Sequence, residues 1–147
     1  MVDARFSIDL VYLIDDSSID NFINQKMIEQ NVFLKQVKAF TKAIEALKCL
    51  FDLDENKASK NQIPSIIFLD LNMPLINGGR FLELFNKLSH FIKSRCKIVI
   101  LTTSLNPKDE QSASNDSNII VFFNKPLIST NFSVLNTLLE EDYKRKE

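Results

Sequence analysis

The chain has 147 residues, of which 45% are hydrophobic and 25% are charged, a balance typical of one globular domain rather than of a disordered segment. Its formal net charge of −1 argues against a basic surface for nucleic acid and against a polybasic membrane anchor. The sequence shows no signal peptide and no apolar run long enough to cross a bilayer, so we expect neither a secreted nor a membrane-spanning protein.

Strand and helix patterns alternate through the N-terminal half. An almost continuous apolar run at 9–14 predicts a strand buried on both faces, and a second strand is predicted near 36–40. Between them, helical spacing of apolar residues predicts a helix with a buried face of Ile19, Phe22, Ile23 and Met27. A second helix is predicted from the apolar face of Ala43, Ile44, Leu47 and Leu50. The polar stretch 52–62 lacks periodicity and precedes Pro64, so we expect an exposed loop there.

The alternation continues through the C-terminal half, where strands are predicted at 65–70, 97–102 and 119–123. A third helix begins near Gly78-Gly79 and has an apolar stripe of Phe81, Leu82, Phe85, Leu88 and Ile92. Asn106-Pro107 predicts the start of a short fourth helix, which we expect to pack weakly because Ala113 is its one clear apolar residue. A fifth helix is predicted from the apolar face of Phe132, Leu135, Leu138 and Leu139.

This order of elements predicts the fold class. Five strands alternating with five helices imply an α/β fold, with a doubly wound five-stranded parallel sheet and right-handed crossovers. We expect one domain over 1–147, with a core at about 8–141 and a charged tail at 142–147 that frays. Cys49 and Cys96 have no motif spacing, so we expect free thiols in a reducing cytoplasm.

Four short polar elements follow the predicted strands: Asp15-Asp16, Asp70, Thr102-Thr103-Ser104 and Lys125-Pro126. The carboxyl ends of parallel strands lie at one edge of the sheet, where ligands bind, so these side chains should meet there. Carboxylates, hydroxyls and a lysine suit a divalent cation and a phosphoryl group, with one carboxylate available as nucleophile. Each element alone is also explained by helix capping or turn chemistry, whereas all of them at strand ends favour a common site.

These residues resemble the receiver domain of two-component response regulators, with the CheY-like form of the flavodoxin-like fold. The resemblance covers nearly the whole chain and includes the motif that begins Asp70-Leu71-Asn72-Met73-Pro74 and continues to Gly78. It implies that Asp70 is the phosphoacceptor and that Lys125, Thr102 and Thr103 serve phosphoryl binding and switching. It also implies an Mg²⁺ site formed by Asp15, Asp16, Asp70 and the backbone carbonyl of Asn72.

Three further expectations come from the same resemblance. The Lys125–Pro126 bond should be cis. Phe122 stands at the family's switch aromatic, although a permanently buried strand residue explains it equally well. Asn72 and Ser104 should flank the path of the water that hydrolyses the aspartyl phosphate, and neither is a strong base, so we expect slow to moderate self-dephosphorylation.

The resemblance implies a phosphoacceptor switch in the bacterial cytoplasm. Its partners would be a sensor histidine kinase or phosphotransfer protein and an unknown output partner, with no nucleic acid or membrane, and it would not be an enzyme beyond its own phosphorylation chemistry. A haloacid-dehalogenase-like phosphatase is an alternative, but that family has D-x-D after its first strand and this chain has Asp15-Asp16-Ser17. A flavin module needs a glycine-rich loop, and the chain has two glycines. A degenerate scaffold and a receiver fragment of a hybrid kinase remain open.

Overall fold

A computed structural model describes residues 8–32, 34–73, 76–103 and 115–145. Five strands form one sheet in the order β2-β1-β3-β4-β5, and every neighbouring pair is parallel. The strands are β1 (Ile8–Ile14), β2 (Leu34–Phe40), β3 (Ile66–Asp70), β4 (Lys97–Thr102) and β5 (Ile119–Asn124). The predicted parallel sheet is therefore confirmed, with strand ends that differ by at most two residues from the sequence prediction.

Five α-helices are present among the described residues: α1 (Ser18–Asn31), α2 (Ala43–Glu55), α3 (Gly78–Phe85), α4 (His90–Arg95) and α5 (Ser129–Arg145). Buried side chains of α2, α3 and α4 join a core on one face of the sheet. Those of α1 and α5 join a second core on the other face. Successive side chains of β1 point to opposite faces and so join different cores: Tyr12 lies in the first and Leu13 in the second. The doubly wound α/β class is thus confirmed.

The predicted buried face of α1 is wrong for three of its four residues, since only Met27 is partly buried and packs against the second core. Ile19, Phe22 and Ile23 are exposed, at 70%, 64% and 45% of their surface. The helix instead buries Asn21, Asn24 and Ile28. Two asparagines can occupy this face because strand ends accept hydrogen bonds from Asn21 and the loop after β5 donates one to Asn24, and a hydrophobic pattern cannot reveal such pairing.

The predicted third helix is divided into α3 and α4, although its apolar stripe is buried as expected. Ser89 separates the two helices and caps α4 by accepting a hydrogen bond from the backbone N–H of Ile92. Its own backbone N–H and hydroxyl both donate to the carboxylate of Asp54 on α2, at 2.8 and 2.5 Å. These bonds give the chain an alternative to a continuous helix, which explains the break.

The predicted loop at 52–62 is wrong at both of its ends. α2 continues through Glu55, with Leu53 half-buried against the core. One 3₁₀ turn then covers Lys60–Gln62 and begins at Ser59, whose side chain and backbone exchange hydrogen bonds with Gln62. On α2, the prediction of Ile44 as a buried residue is also wrong, because Ala46 takes that place in the core and Ile44 is exposed.

α5 runs to Arg145, so residues 142–145 are helical rather than frayed, and Asp142 forms an ion pair with Lys97 at 3.5 Å. Cys49 and Cys96 are free thiols, as predicted. Among the described residues, no helix combines the length and the hydropathy that crossing a membrane requires. The predicted fourth helix, with Asn106-Pro107 and Ala113, falls outside the described residues.

Candidate functional site

Polar side chains from three strand ends meet at the carboxyl edge of the sheet. Asp15 and Asp16 follow β1, Asp70 is the last residue of β3, and Lys125 follows β5. One oxygen from each of the three aspartates lies within 4.8 Å of the others. The strands themselves cause this juxtaposition, because parallel neighbours in register end at the same edge.

The three aspartates differ in their access to solvent. Asp15 and Asp70 are buried, at 1% and 3% exposure, whereas Asp16 is exposed. Oδ1 of Asp15 accepts a hydrogen bond from the backbone N–H of Ser17 at 2.9 Å, and Oδ1 of Asp70 accepts one from the backbone N–H of Asn72 at 3.1 Å. Each buried carboxylate is therefore held by the loop that follows it, with its second oxygen facing the shared space.

Lys125, in the loop that follows β5, extends its side chain into this space. Its ammonium lies 2.6 Å from Oδ2 of Asp15, 3.4 Å from Oδ2 of Asp70 and 3.0 Å from Oδ2 of Asp20. The lysine side chain is only 8% exposed. The Lys125–Pro126 peptide bond is cis, as predicted.

Asp20 is a site residue that the sequence analysis missed. It lies in the first turn of α1, and its backbone N–H donates to the hydroxyl of the N-cap Ser17 at 3.1 Å. In the sequence, an acidic residue in the first turn of a helix is already explained by its favourable interaction with the helix dipole. Its contact with Lys125 depends on a loop 105 positions away, which local patterns do not reveal.

The pKa values of Asp15 and Lys125 are both raised, for different reasons. Burial raises the pKa of the Asp15 carboxyl, as does the charge of Asp70, and hydrogen bonds from Lys125 and Ser17 offset only part of that rise. Burial lowers the pKa of the Lys125 ammonium, but hydrogen bonds to Asp15 and Asp20 and the charge of Asp70 outweigh burial and raise it above its usual value. Lys125 is therefore held as a cation at neutral pH.

The structure describes most of the remaining predicted residues. Thr102 is the last residue of β4 and is buried, whereas Asn72 is exposed. The hydroxyl of Thr102 lies 3.5 Å from the side-chain nitrogen of Asn72. Thr103 is exposed and lines a cavity of about 200 Å³ together with Asp20 and Lys125. Phe122 is half-buried on β5 and packs against the core. Ser104 falls outside the described residues.

Two buried asparagines of α1 position the loops of the site. The side-chain amide of Asn21 donates to the backbone carbonyls of Asp15 and Phe40 at 3.0 and 3.2 Å. Oδ1 of Asn24 accepts a hydrogen bond from the backbone N–H of Leu127 at 3.0 Å. α1 is thereby tied to the ends of β1 and β2 and to the loop that holds Lys125.

The donor set fits a small divalent cation. Mg²⁺ prefers carboxylate and carbonyl oxygens and keeps several waters, so a partly open cluster suits it better than a closed cage. Three carboxylate oxygens within 4.8 Å of one another, one of them on the exposed Asp16, meet that requirement. Among the described residues, a second group of this kind is not found.

The comparisons with known proteins agree with this geometry. A solved two-component response regulator from Cytophaga hutchinsonii is 31% identical, has a TM-score of 0.78, and its match covers 91% of this chain and 98% of that one. A response regulator receiver protein from Dyadobacter fermentans is 26% identical, with a TM-score of 0.74 and coverages of 88% and 97%. A two-component response regulator from Legionella pneumophila, 22% identical with a TM-score of 0.71 and coverages of 91% and 98%, shares the fold.

No curated protein matches the chain. The family model described as the response regulator receiver domain matches residues 11–134. That span contains Asp15, Asp16 and Asp70, as well as β4 and the loop with Lys125. Because the match covers far more than half of the chain, the protein belongs to the response regulator receiver domain family.

Proposed function

We propose that this receiver domain is a phosphoacceptor switch of a two-component phosphorelay and that Asp70 carries the phosphoryl group. One observation carries the proposal: Asp70 ends the central strand β3 with one oxygen held by Asn72 and the other 3.4 Å from the Lys125 ammonium. A carboxylate fixed in this way presents a free oxygen beside a cation that can bind phosphoryl oxygens.

The transfer is a substitution at phosphorus. An oxygen of Asp70 forms the new O–P bond while the P–N bond of a phosphohistidine breaks, and the imidazole leaves with that electron pair and takes up a proton. Lys125 offsets the charge on the phosphoryl oxygens. In this proposal the hydroxyl of Thr102, the last residue of β4, would hydrogen-bond the phosphoryl group once it is present. Such a bond would make the free energy of the loop after β4 differ between the phosphorylated and unphosphorylated states. A switch requires such a difference.

Asp15, Asp16, Asp70 and the backbone carbonyl of Asn72 would hold Mg²⁺ in this proposal. When bound, the cation would neutralise charge between the carboxylates and the incoming phosphoryl group. Asp16 is the exposed carboxylate of this set of residues.

The exposed face of α1 supports a protein as phosphodonor. Ile19, Phe22 and Ile23 leave a large apolar area in solvent, and Ile128 in the loop after β5 is 53% exposed. Ile23 also lines the cavity beside Lys125, so this apolar surface borders the site. Apolar patches of this kind mark protein-binding surfaces. We therefore propose that a sensor histidine kinase or a phosphotransfer protein docks here.

The remaining parts of the proposal concern the setting. The receiver would occupy 1–147, with its core at about 8–141, and would act through a partner rather than as an enzyme on other substrates, in the bacterial cytoplasm. Phe122, half-buried on β5, and Thr103, exposed at the end of β4, would change contacts on phosphorylation. The low net charge of −1 supports a partner other than nucleic acid or a membrane surface.

Incubation with Mg²⁺ and acetyl phosphate tests the function. We expect the protein to gain one acid-labile phosphoryl group, and we expect omission of Mg²⁺ to abolish the gain. Continuous release of phosphate far beyond the amount of protein would indicate a phosphatase instead. Absence of both labelling and turnover would indicate a scaffold and would overturn the proposal.

A further inference from the structure

Asp20 occupies a position from which it can control Lys125. Its side chain is 37% exposed, whereas those of Asp15 and Asp70 are 1% and 4% exposed. Its carboxylate reaches the ammonium from α1, and both residues line a cavity together with Thr103 and Pro126. Asp20 is thus the partner of Lys125 that faces the solvent.

The ammonium of Lys125 already donates hydrogen bonds to two carboxylates, those of Asp15 and Asp20, and lies near a third, that of Asp70. A lysine ammonium has three N–H groups. Three carboxylates, of Asp15, Asp20 and Asp70, lie 2.6, 3.0 and 3.4 Å from it. A phosphoryl group on Asp70 must therefore share a cation that already has two other anionic partners.

The two other partners are not equivalent. Asp15 is buried and fixed by the backbone of Ser17, and it lies closest to the ammonium, so it alone suffices to orient Lys125. Asp20 accepts a second hydrogen bond from that ammonium at 3.0 Å and adds a negative charge beside the position of the phosphoryl group. Two like charges within a few ångströms repel each other.

We propose that Asp20 is a positioning residue that restrains phosphorylation: its carboxylate competes with the phosphoryl group for the ammonium of Lys125. The inference rests on the proposed function and involves no further covalent step. Asp20 sets how strongly the unphosphorylated site retains Lys125, and hence how much binding free energy the phosphoryl group gains from it.

Beryllofluoride, which mimics a phosphoryl group on a carboxylate, tests the proposal with the intact protein. Its affinity is measured by calorimetry at saturating Mg²⁺ for the wild type, for Asp20→Asn and for the control Glu29→Gln. Glu29 is an exposed carboxylate on the same helix, nine residues further along, which is about 13 Å along the axis. We expect Asp20→Asn to bind the mimic about two- to fivefold more tightly, with no gain in Mg²⁺ affinity, and Glu29→Gln to match the wild type.

A second measurement needs neither metal nor phosphoryl mimic. In metal-free buffer, we expect Asp20→Asn to melt at a lower temperature than the wild type, by a difference that shrinks as salt screens the ion pair. Glu29→Gln should show no such salt-dependent difference. If Asp20→Asn does not fold, Asp20→Ser replaces it in both experiments, since serine also suits the first turn of a helix.

The outcomes separate the inference from the proposed function. Equal affinity of Asp20→Asn and wild type for beryllofluoride, or an equal gain in Glu29→Gln, would overturn the role of Asp20 and leave the phosphoacceptor site intact. Failure of the wild type to bind the mimic would overturn the proposed function, and the inference would fall with it.

Discussion

The ammonium of Lys125 lies 2.6 Å from Oδ2 of Asp15, and this contact joins two loops that are 110 positions apart in the chain. Both side chains are almost fully buried, at 8% and 1% exposure. Because removing one partner of a buried ion pair strongly destabilises a protein, this contact makes the loop with Lys125 important for the stability of the whole domain.

We expect Lys125→Met to lower the free energy of unfolding by about 3–5 kcal/mol in metal-free buffer, because it leaves the buried Asp15 and Asp70 without their cation. Urea unfolding at neutral pH measures this loss. The surface variant Lys48→Met, on the exposed side of α2, is the control and should change stability by less than about 0.5 kcal/mol. A Lys125→Met protein as stable as the control would show that the ion pair contributes nothing.

The same pair predicts a pH dependence. The pKa of Lys125 is raised in the folded protein above its ordinary value of 10.5, so the folded state binds that proton more tightly than the unfolded state does. The stability from this group is therefore fully present below pH 10.5 and is lost as the pH rises through and above that value. We expect the stability difference between wild type and Lys125→Met to narrow above pH 10.5. A difference that stays constant to higher pH would contradict the raised pKa.

Asp16 provides a test of the metal site. We expect Asp16→Ala to weaken Mg²⁺ binding and slow phosphorylation, yet to stabilise the metal-free protein by up to about 1 kcal/mol by removing a like charge from the cluster. Calorimetric Mg²⁺ titration and thermal unfolding in chelator measure the two effects. Asp52→Ala, an exposed carboxylate on α2, serves as control. An unchanged Mg²⁺ titration would remove Asp16 from the site.

The two glycines of α3 form a matched pair for testing the loop after Asp70. A Cβ on Gly78 would lie 2.5 Å from Cδ2 and 2.9 Å from Cα of Leu71, whereas a Cβ on Gly79 would meet only Oδ1 of Asn77 at 3.4 Å. We expect Gly78→Ala to destabilise the domain by about 1–3 kcal/mol through this overlap and to slow phosphorylation. Gly79→Ala should be neutral or stabilising by up to about 1 kcal/mol, because alanine favours the helix. Equal effects of the two substitutions on unfolding would contradict the close approach to Leu71.

The lifetime of the phosphorylated form tests the surroundings of Asp70. Asn72 carries no charge and its amide lies near Thr102, so it offers no base to activate an attacking water. We expect a half-life longer than about one second after the phosphodonor is removed, in a range that suits relay or adaptation. Rapid-quench measurement of the acid-labile phosphate gives this value. A shorter half-life would show that a group other than Asn72 and Ser104 activates the water.

Strand positions and the carboxyl-edge residues could be predicted from sequence because both depend on local signals. A buried parallel strand is a continuous apolar run, and the polar residue that follows it marks the edge of the sheet, as at Asp70 and Thr102. The Lys125–Asp15 contact was implied in the same way, since both residues follow strands of one sheet.

The face of α1 and the role of Asp20 could not be predicted because they depend on tertiary partners. Asn21 and Asn24 are buried where strand ends accept hydrogen bonds from the amide nitrogen of Asn21 and the loop after β5 donates one to Oδ1 of Asn24. This leaves Ile19, Phe22 and Ile23 on the surface, against the expectation from hydrophobicity alone. The break between α3 and α4 likewise depends on the contact between Ser89 and Asp54, 35 positions apart.

The location of the phosphoryl group decides whether this site is a phosphoacceptor. The protein is incubated with acetyl phosphate and Mg²⁺, the acyl phosphate is reduced with borohydride, and peptide mass spectrometry identifies the altered residue. We expect the change at Asp70 alone in the wild type and no incorporation in Asp70→Asn, with the Asp52→Asn control labelled like the wild type. Full labelling of Asp70→Asn, or a reduced aspartate elsewhere in the wild type, would contradict the assignment of Asp70 as the acceptor.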